Sequence, residues 1–186
     1  MSRAETKPSE PSVRPAVSSD IPGLLALEHN YSTDHVWQMG YHPLGEEVNI
    51  AFREVRLPRP MRVTYPRSQE RLADEWTQAA ILLVAESAQG LLGYLILALG
   101  PAPETGWVTD LVVDLPHRRQ GVATGLLGVA RRWCLEQGVA RIVLEMQSKN
   151  FPCICLARKL GFVLSGYHDR YYPDQDIALF FTLNLR

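Results

Sequence analysis

The chain has 186 residues, 46% of them hydrophobic and 21% charged, with a formal net charge of −1. That length supports one compact domain with a sizeable core, and the near-neutral balance excludes a globally basic nucleic-acid or anionic-membrane binder. No apolar run reaches the ~18 residues that cross a bilayer, and three cysteines form neither a CxxC pair nor an even framework, so no metal site, membrane partner or disulfide scaffold is expected.

In chain order, "MSRAETKPSEPS" is polar and Pro/Ser-containing; residues 1–11 are expected to be a disordered lead-in and 12–186 one domain. "SVRPAV" predicts a short strand and "SSDIPGLLALEHN" a capped helix. Residues 30–50 are aromatic with no steady period and are expected to be irregular, so the start of the domain is expected to be α-rich. From Phe52 the apolar residues Val55, Leu57, Met61, Val63 and Tyr65 alternate, and Pro58 and Pro60 mark an edge-like extended segment. This stretch holds five arginines (Arg53, Arg56, Arg59, Arg62, Arg67), read as a solvated edge with an anionic group or a second subunit as alternatives.

"AILLVAES" and "GLLGYLILAL" flank a hairpin signal, and "GWVTDLVVD" is the next strand. A helix is predicted over 121–137, with Val122, Leu126, Leu127, Ala130 and Trp133 or Cys134 as its core stripe and Gly138 beyond its end. Then come a strand at "ARIVLEMQ", a helix at "FPCICLARKLG" and two closing strands. The expected fold class is α/β (α+β): a mixed, mostly antiparallel twisted sheet flanked by helices.

The stretch "HRRQGVATGLL" runs from two arginines into a helix with no Ser or Asp cap. Free N–H groups and the positive end of a helix suit an anion, and Gly121 and Ala123 keep the approach open. A solvated basic turn is the plain alternative. Arg118-x-x-Gly121-x-Ala123 after "LVVD" resembles the pyrophosphate loop of the GNAT N-acetyltransferase superfamily, and "LEMQSKNFPCICLARKLGF" resembles its second signature; the two cover roughly residues 105–165.

The resemblance implies acetyl-CoA as cofactor, held by Arg118, Arg119, Gln120, Gly121, Val122, Ala123 and Thr124 at the pyrophosphate and by the backbone of Leu111, Val112 and Val113 along the pantetheine arm. Asn150 would hydrogen-bond the cofactor or simply cap the next helix. Glu145 matches the base of some N-terminal acetyltransferases of the superfamily, and Asp110 is a second carboxylate. Many members carry a tyrosine acid where this chain has Ala157; Tyr167, Tyr171 or Tyr172 could replace it, with Tyr172 taken as the catalytic candidate.

"YSTDHVWQM", "LEMQ…N…GF-L-GY" and "DIALFF" resemble the streptothricin-acetyltransferase branch, whose substrates carry a β-lysine amine. Glu28, Asp34 and Trp37 are the substrate candidates; Glu46 and Glu47 are read as solvated, and Tyr31 or Trp37 could cover an ammonium. The expectation is a cytoplasmic enzyme acetylating a primary amine of a small molecule. Peptide or lysine acetylation and a non-catalytic acyl-CoA sensor are the alternatives. The resemblance is also compatible with a homodimer.

Overall fold

The computed structural model describes residues 11–100 and 102–186; the expected lead-in falls almost wholly outside them. Seven strands form one sheet in the order β1-β4-β5-β6-β7-β9-β8. They are β1 (Ser12–Pro15), β4 (Ile81–Ser87), β5 (Gly90–Leu99), β6 (Thr105–Val113), β7 (Arg141–Gln147), β8 (Val163–His168) and β9 (Ala178–Asn184). Among the described residues β6 and β7 are the one hydrogen-bonded neighbouring pair that runs parallel, and the helix α3 (Val122–Glu136) makes the crossover between them. Antiparallel pairing elsewhere matches the expected fold class.

The opening of the domain departs from expectation. Instead of an α-rich start there are two five-residue helices, α1 (Ile21–Leu25) and α2 (Arg71–Glu75), and between them a long ribbon. The ribbon pairs β2 (Tyr31–Leu44) with β3 (Glu47–Val63) as a separate two-stranded sheet. The supposedly irregular residues 31–44 are therefore a strand. Gly40 and Pro43 blur its alternation, and its outer half meets solvent on both faces, so no burial period marks it. The turn at its tip uses Gly45 at φ 61°. Pro58 and Pro60 lie where the register jumps, opposite Asp34, so neither proline interrupts a regular ladder.

One face of the main sheet packs Leu95, Leu97, Val108 and Leu144 against α3 and against α4 (Phe151–Lys159). Helix α3 buries Val122, Leu126, Leu127, Ala130 and Cys134, with Cys134 rather than Trp133 completing the stripe. Each fully buried leucine here contributes roughly 1.5–3 kcal/mol. The other face packs Val84, Tyr94, Ile96 and Val112 against Ile21, Leu24 and Leu72 of the short helices. Gly93 is required where β5 crosses β6, since any Cβ there would overlap the Val112 carbonyl oxygen.

Candidate active site

The site lies where β6 stops pairing with β7. Their ladder runs from Thr105 opposite Arg141 to Val108 opposite Leu144 and ends there. Beyond it β6 still pairs with β5, and β7 with β9, so the facing edges of 109–113 and 145–147 lack ladder partners across the gap. The result is a slot edged by main-chain groups outside any ladder, suited to an extended ligand that adds like a strand. Leu111, Val112 and Val113 line this edge with their side chains in the cores; main-chain groups alternate along a strand, so Leu111 and Val113 face the slot while Val112 faces β5, and the Val113 carbonyl already accepts from Arg118.

At the slot's end the chain turns into α3. Gly121 caps that helix in a left-handed conformation (φ 89°) without a side-chain hydrogen bond. The first helical bond runs from Gly125 N–H to the Gly121 carbonyl at 2.9 Å, so the N–H groups of Val122, Ala123 and Thr124 have no partner within the helix. A Cβ on Gly121 would meet nothing within 4 Å, so the surface beside this turn is open. Uncapped donors and a free strand edge together fit a pyrophosphate with an extended arm.

The two arginines of the turn differ. Arg118 donates from Nε to the Val113 carbonyl at 2.8 Å and from Nη2 to the Glu28 carbonyl, and burial draws it below arginine's usual value. It straps the segment after α1 to the turn, with two of its five donors so engaged. Arg119 is exposed at φ 66° and makes no hydrogen bond or ion pair among the described residues. Gln120 folds back onto the Pro116 carbonyl at 2.9 Å. Asn150 caps α4 by accepting from Cys153 N–H at 3.1 Å, the simpler of its two readings.

On the face of the sheet toward α1 and α2, a β-bulge leaves Thr109 as an extra residue between Val108 and Asp110. It puts Trp107 and Asp110, three positions apart, on the same face. Glu145 on β7 accepts from Trp107 Nε1 at 2.9 Å, Tyr171 at 3.2 Å and Tyr172 at 3.3 Å, and pairs with Arg67 Nη2. Arg67 also donates to the Thr109 carbonyl at 2.6 Å and lies over the Tyr172 ring. Asp110 accepts from the Tyr65 hydroxyl. Burial disfavours the Arg67 cation, but the Asp110 and Glu145 carboxylates outweigh that and keep it charged. Burial first, then the adjacent carboxylate, pushes Tyr65 and Tyr172 well above the usual phenol value.

Sequence reasoning placed Glu145, Asp110 and Tyr172 in this cluster and missed Arg67, Tyr65 and Trp107. Arg67 was grouped with four strand arginines, yet Arg53, Arg56, Arg59 and Arg62 are exposed on the ribbon and Arg67 alone turns inward. The signal was its place past the last paired residue of β3. Tyr167 packs on Phe52 and stays outside the cluster. Ala157 is fully buried in the core, so no acid comes from that position.

The substrate candidates are not brought together here. Glu28 is occupied by Arg62 and the Asn30 N–H, and its own N–H donates to Asp114. Asp34 is exposed beside His35 and borders an open cleft of about 430 Å³ formed with Arg56, Leu57, Pro58 and Pro60 of the ribbon. Trp37 packs on Phe181 and Phe52, and Tyr31 donates to Gln147 at 3.0 Å, so neither ring is free to cover an ammonium. Glu46 and Glu47 sit at the exposed ribbon tip. No group of metal-ligating side chains occurs among the described residues. Nor is any described helix long and apolar enough to cross a membrane.

Residues 49–162 match the model of the acetyltransferase (GNAT) family. A streptothricin acetyltransferase of Escherichia coli is 39% identical over 59 residues, 32% of this chain and 34% of that protein. The match thus spans about a third of the length of this relative. Among solved structures, a nourseothricin acetyltransferase superposes at a TM-score of 0.81 with 24% identity, over 96% of this chain and 100% of that one. A Bacillus anthracis protein assigned as a streptothricin acetyltransferase, solved with acetyl coenzyme A, gives a TM-score of 0.74 at 19% identity, covering 94% and 97%. At these identities both structures speak to the fold.

Proposed function

The chain belongs to the acetyltransferase (GNAT) family, and on that premise we propose that it is an acetyl-CoA-dependent N-acetyltransferase acting on a primary amine of a small molecule, with a streptothricin-like antibiotic as the leading acceptor. The observation that carries the reading is the continuous path from the uncapped α3 N-terminus along the free edge of β6 to the acidic cluster at the bulge. Acetyl-CoA would supply an activated thioester acetyl group. Val122, Ala123 and Thr124 would hold its pyrophosphate through N–H groups, with Arg119 adding charge, and Leu111–Val113 would align the pantetheine arm.

The chain must then accept a cationic amine and take its proton. A lysine-type amine, with pKa about 10.4, is protonated at neutral pH and needs a carboxylate both to bind and to deprotonate. Asp110 and Glu145 are the buried carboxylates beside the bulge. Tyr171 and Tyr172 brace Glu145 with their hydroxyls, and their raised pKa makes each a weak acid. We therefore assign Tyr172 to positioning Glu145. A thiolate with pKa near 8.5 is a tolerable leaving group without a protein acid.

A largely buried acidic-aromatic cluster, with Trp107, Tyr65 and Tyr172 inward and Tyr171 at its exposed edge, favours a small amine over an extended peptide. A cytoplasmic location follows from the need for acetyl-CoA and from three cysteines left as free thiols. The test is CoA thiol release from acetyl-CoA with streptothricin, aminoglycosides, polyamines, lysine and peptides with free N-termini, using Arg119→Glu as the cofactor-blind control. Turnover on streptothricin or another small amine, lost in the control, supports the reading. Turnover on peptides alone moves the acceptor to protein. Acetyl-CoA binding without turnover on any amine makes the chain a sensor.

A further inference from the structure

The two carboxylates of the cluster are not in equivalent states. Glu145 receives Arg67, Trp107, Tyr171 and Tyr172, and an ionised carboxylate offers only about four lone-pair sites. It is saturated. Asp110 is 5% exposed, and its Oδ1 takes the Tyr65 hydroxyl while its Oδ2 is buried with no hydrogen-bond partner among the described residues. The charges are also uneven, because one guanidinium, Arg67, serves two carboxylates and donates to Glu145 only. The Arg71 guanidinium is already paired with Glu75, and His29 is pushed toward its neutral form by burial, so neither supplies the missing cation.

A small cavity opens beside Asp110, lined by Tyr65, Arg67, Glu75, Tyr94 and Ile96, with room for about one water-sized group. A buried carboxylate oxygen without a donor is costly, and a compact cation with several N–H donors would relieve it. We propose that this cavity is an ammonium subsite: a primary ammonium of the acceptor seats against Asp110 Oδ2, with Tyr65 as the positioning residue that orients the carboxylate. The proposal rests on the acetyltransferase reading for the identity of the acceptor. Its selectivity follows from size and donors: a primary ammonium fits, whereas a guanidinium or a tetramethylated nitrogen exceeds a one-water space. The seated ammonium is either the nitrogen to be acetylated or a second one on the same acceptor.

The experiment titrates the protein with n-butylamine, putrescine and tetramethylammonium, with CoA present, following binding by NMR or calorimetry in wild type, Asp110→Asn and Tyr65→Phe. Thermal melting and acetyl-CoA affinity report whether each variant is folded. The expected result is binding of both primary amines, weakened at least ten-fold by Asp110→Asn and a few-fold by Tyr65→Phe, with no competition from tetramethylammonium. In turnover, Tyr65→Phe raises KM for the amine and leaves KM for acetyl-CoA unchanged. Acetylation of n-butylamine identifies the seated ammonium as the reacting one; acetylation of putrescine alone identifies it as the second. Absence of amine binding in wild type, binding indifferent to Asp110→Asn, or equal binding of tetramethylammonium overturns the subsite. Asp110-dependent binding with no turnover keeps the subsite and removes the acetyltransferase reading. Turnover with Asp110-independent binding does the reverse.

Discussion

Along β6, Leu111 and Val113 face the slot with main-chain groups, whereas Trp107 and Asp110 on the same strand bring side chains to a buried cluster. The β6 edge of the slot and its anion end come from one stretch, residues 109 to 124, faced across the gap by 145–147, and rest mainly on main-chain groups. The cluster gathers Tyr65, Arg67, Trp107, Asp110, Glu145, Tyr171 and Tyr172 from four separate stretches. The difference predicts how each half fails. The slot should lose cofactor affinity without losing its fold, and the cluster should lose stability together with function when Glu145 is left without its cation.

Arg67→Ala should have the largest effect. It leaves Glu145, whose side chain is 1% exposed, without its cation, and breaking a buried pair costs about 3–5 kcal/mol. Chemical denaturation should show that loss together with collapsed turnover; near-wild-type stability would mean that the cluster is not a unit. Arg119→Glu tests the slot and should do the opposite. Removing a charge-assisted contact of about 1.5–3 kcal/mol weakens acetyl-CoA binding ten-fold or more, with the melting temperature unchanged because the residue is exposed. Gly121→Ala should cost about 1–2 kcal/mol of stability through its left-handed backbone alone, seen as a shifted midpoint in chemical denaturation.

Tyr171→Phe removes one of four donors to Glu145 and should lower stability by about 0.5–1.5 kcal/mol and kcat a few-fold, with acetyl-CoA affinity intact. The smallest effect is acid sensitivity in the cluster half. Burial draws His29 below about 6.5, so on acidification the unfolded chain takes up that proton before the folded one. Stability should hold above pH 6.5 and fall as pH drops toward the folded-state value. His29→Gln should flatten that acid limb in melts recorded between pH 7 and 5.

What could be read from the sequence follows the same division. The strand–turn–helix around Gly121 is local, so its order, its missing cap and the end of α3 near Gly138 were all legible. Glu145 and Asp110 were legible as strand carboxylates, though not which one is saturated, because that depends on Arg67 reaching across 78 positions. Of the ribbon, the β3 side from Phe52 is legible as extended, whereas β2 is not, because binary periodicity records burial on one face and the outer half of β2 has little of it. The Arg118 bond to the Glu28 carbonyl is not legible in the sequence because its partner lies 90 positions away.

The ribbon also bears on the order in which the molecule assembles. Its strands meet across a short turn, so loop closure is inexpensive and hairpin formation takes about 1–10 μs. The parallel join of β6 to β7 must wait for α3 to close the crossover, a slower and less local event. Tyr65 and Arg67 follow directly on the end of β3, so they reach the growing sheet on an arm that is already rigid. Changes at the ribbon turn, such as Gly45→Val at φ 61°, should therefore slow the appearance of the Arg67–Glu145 pair during refolding while touching no residue of the site.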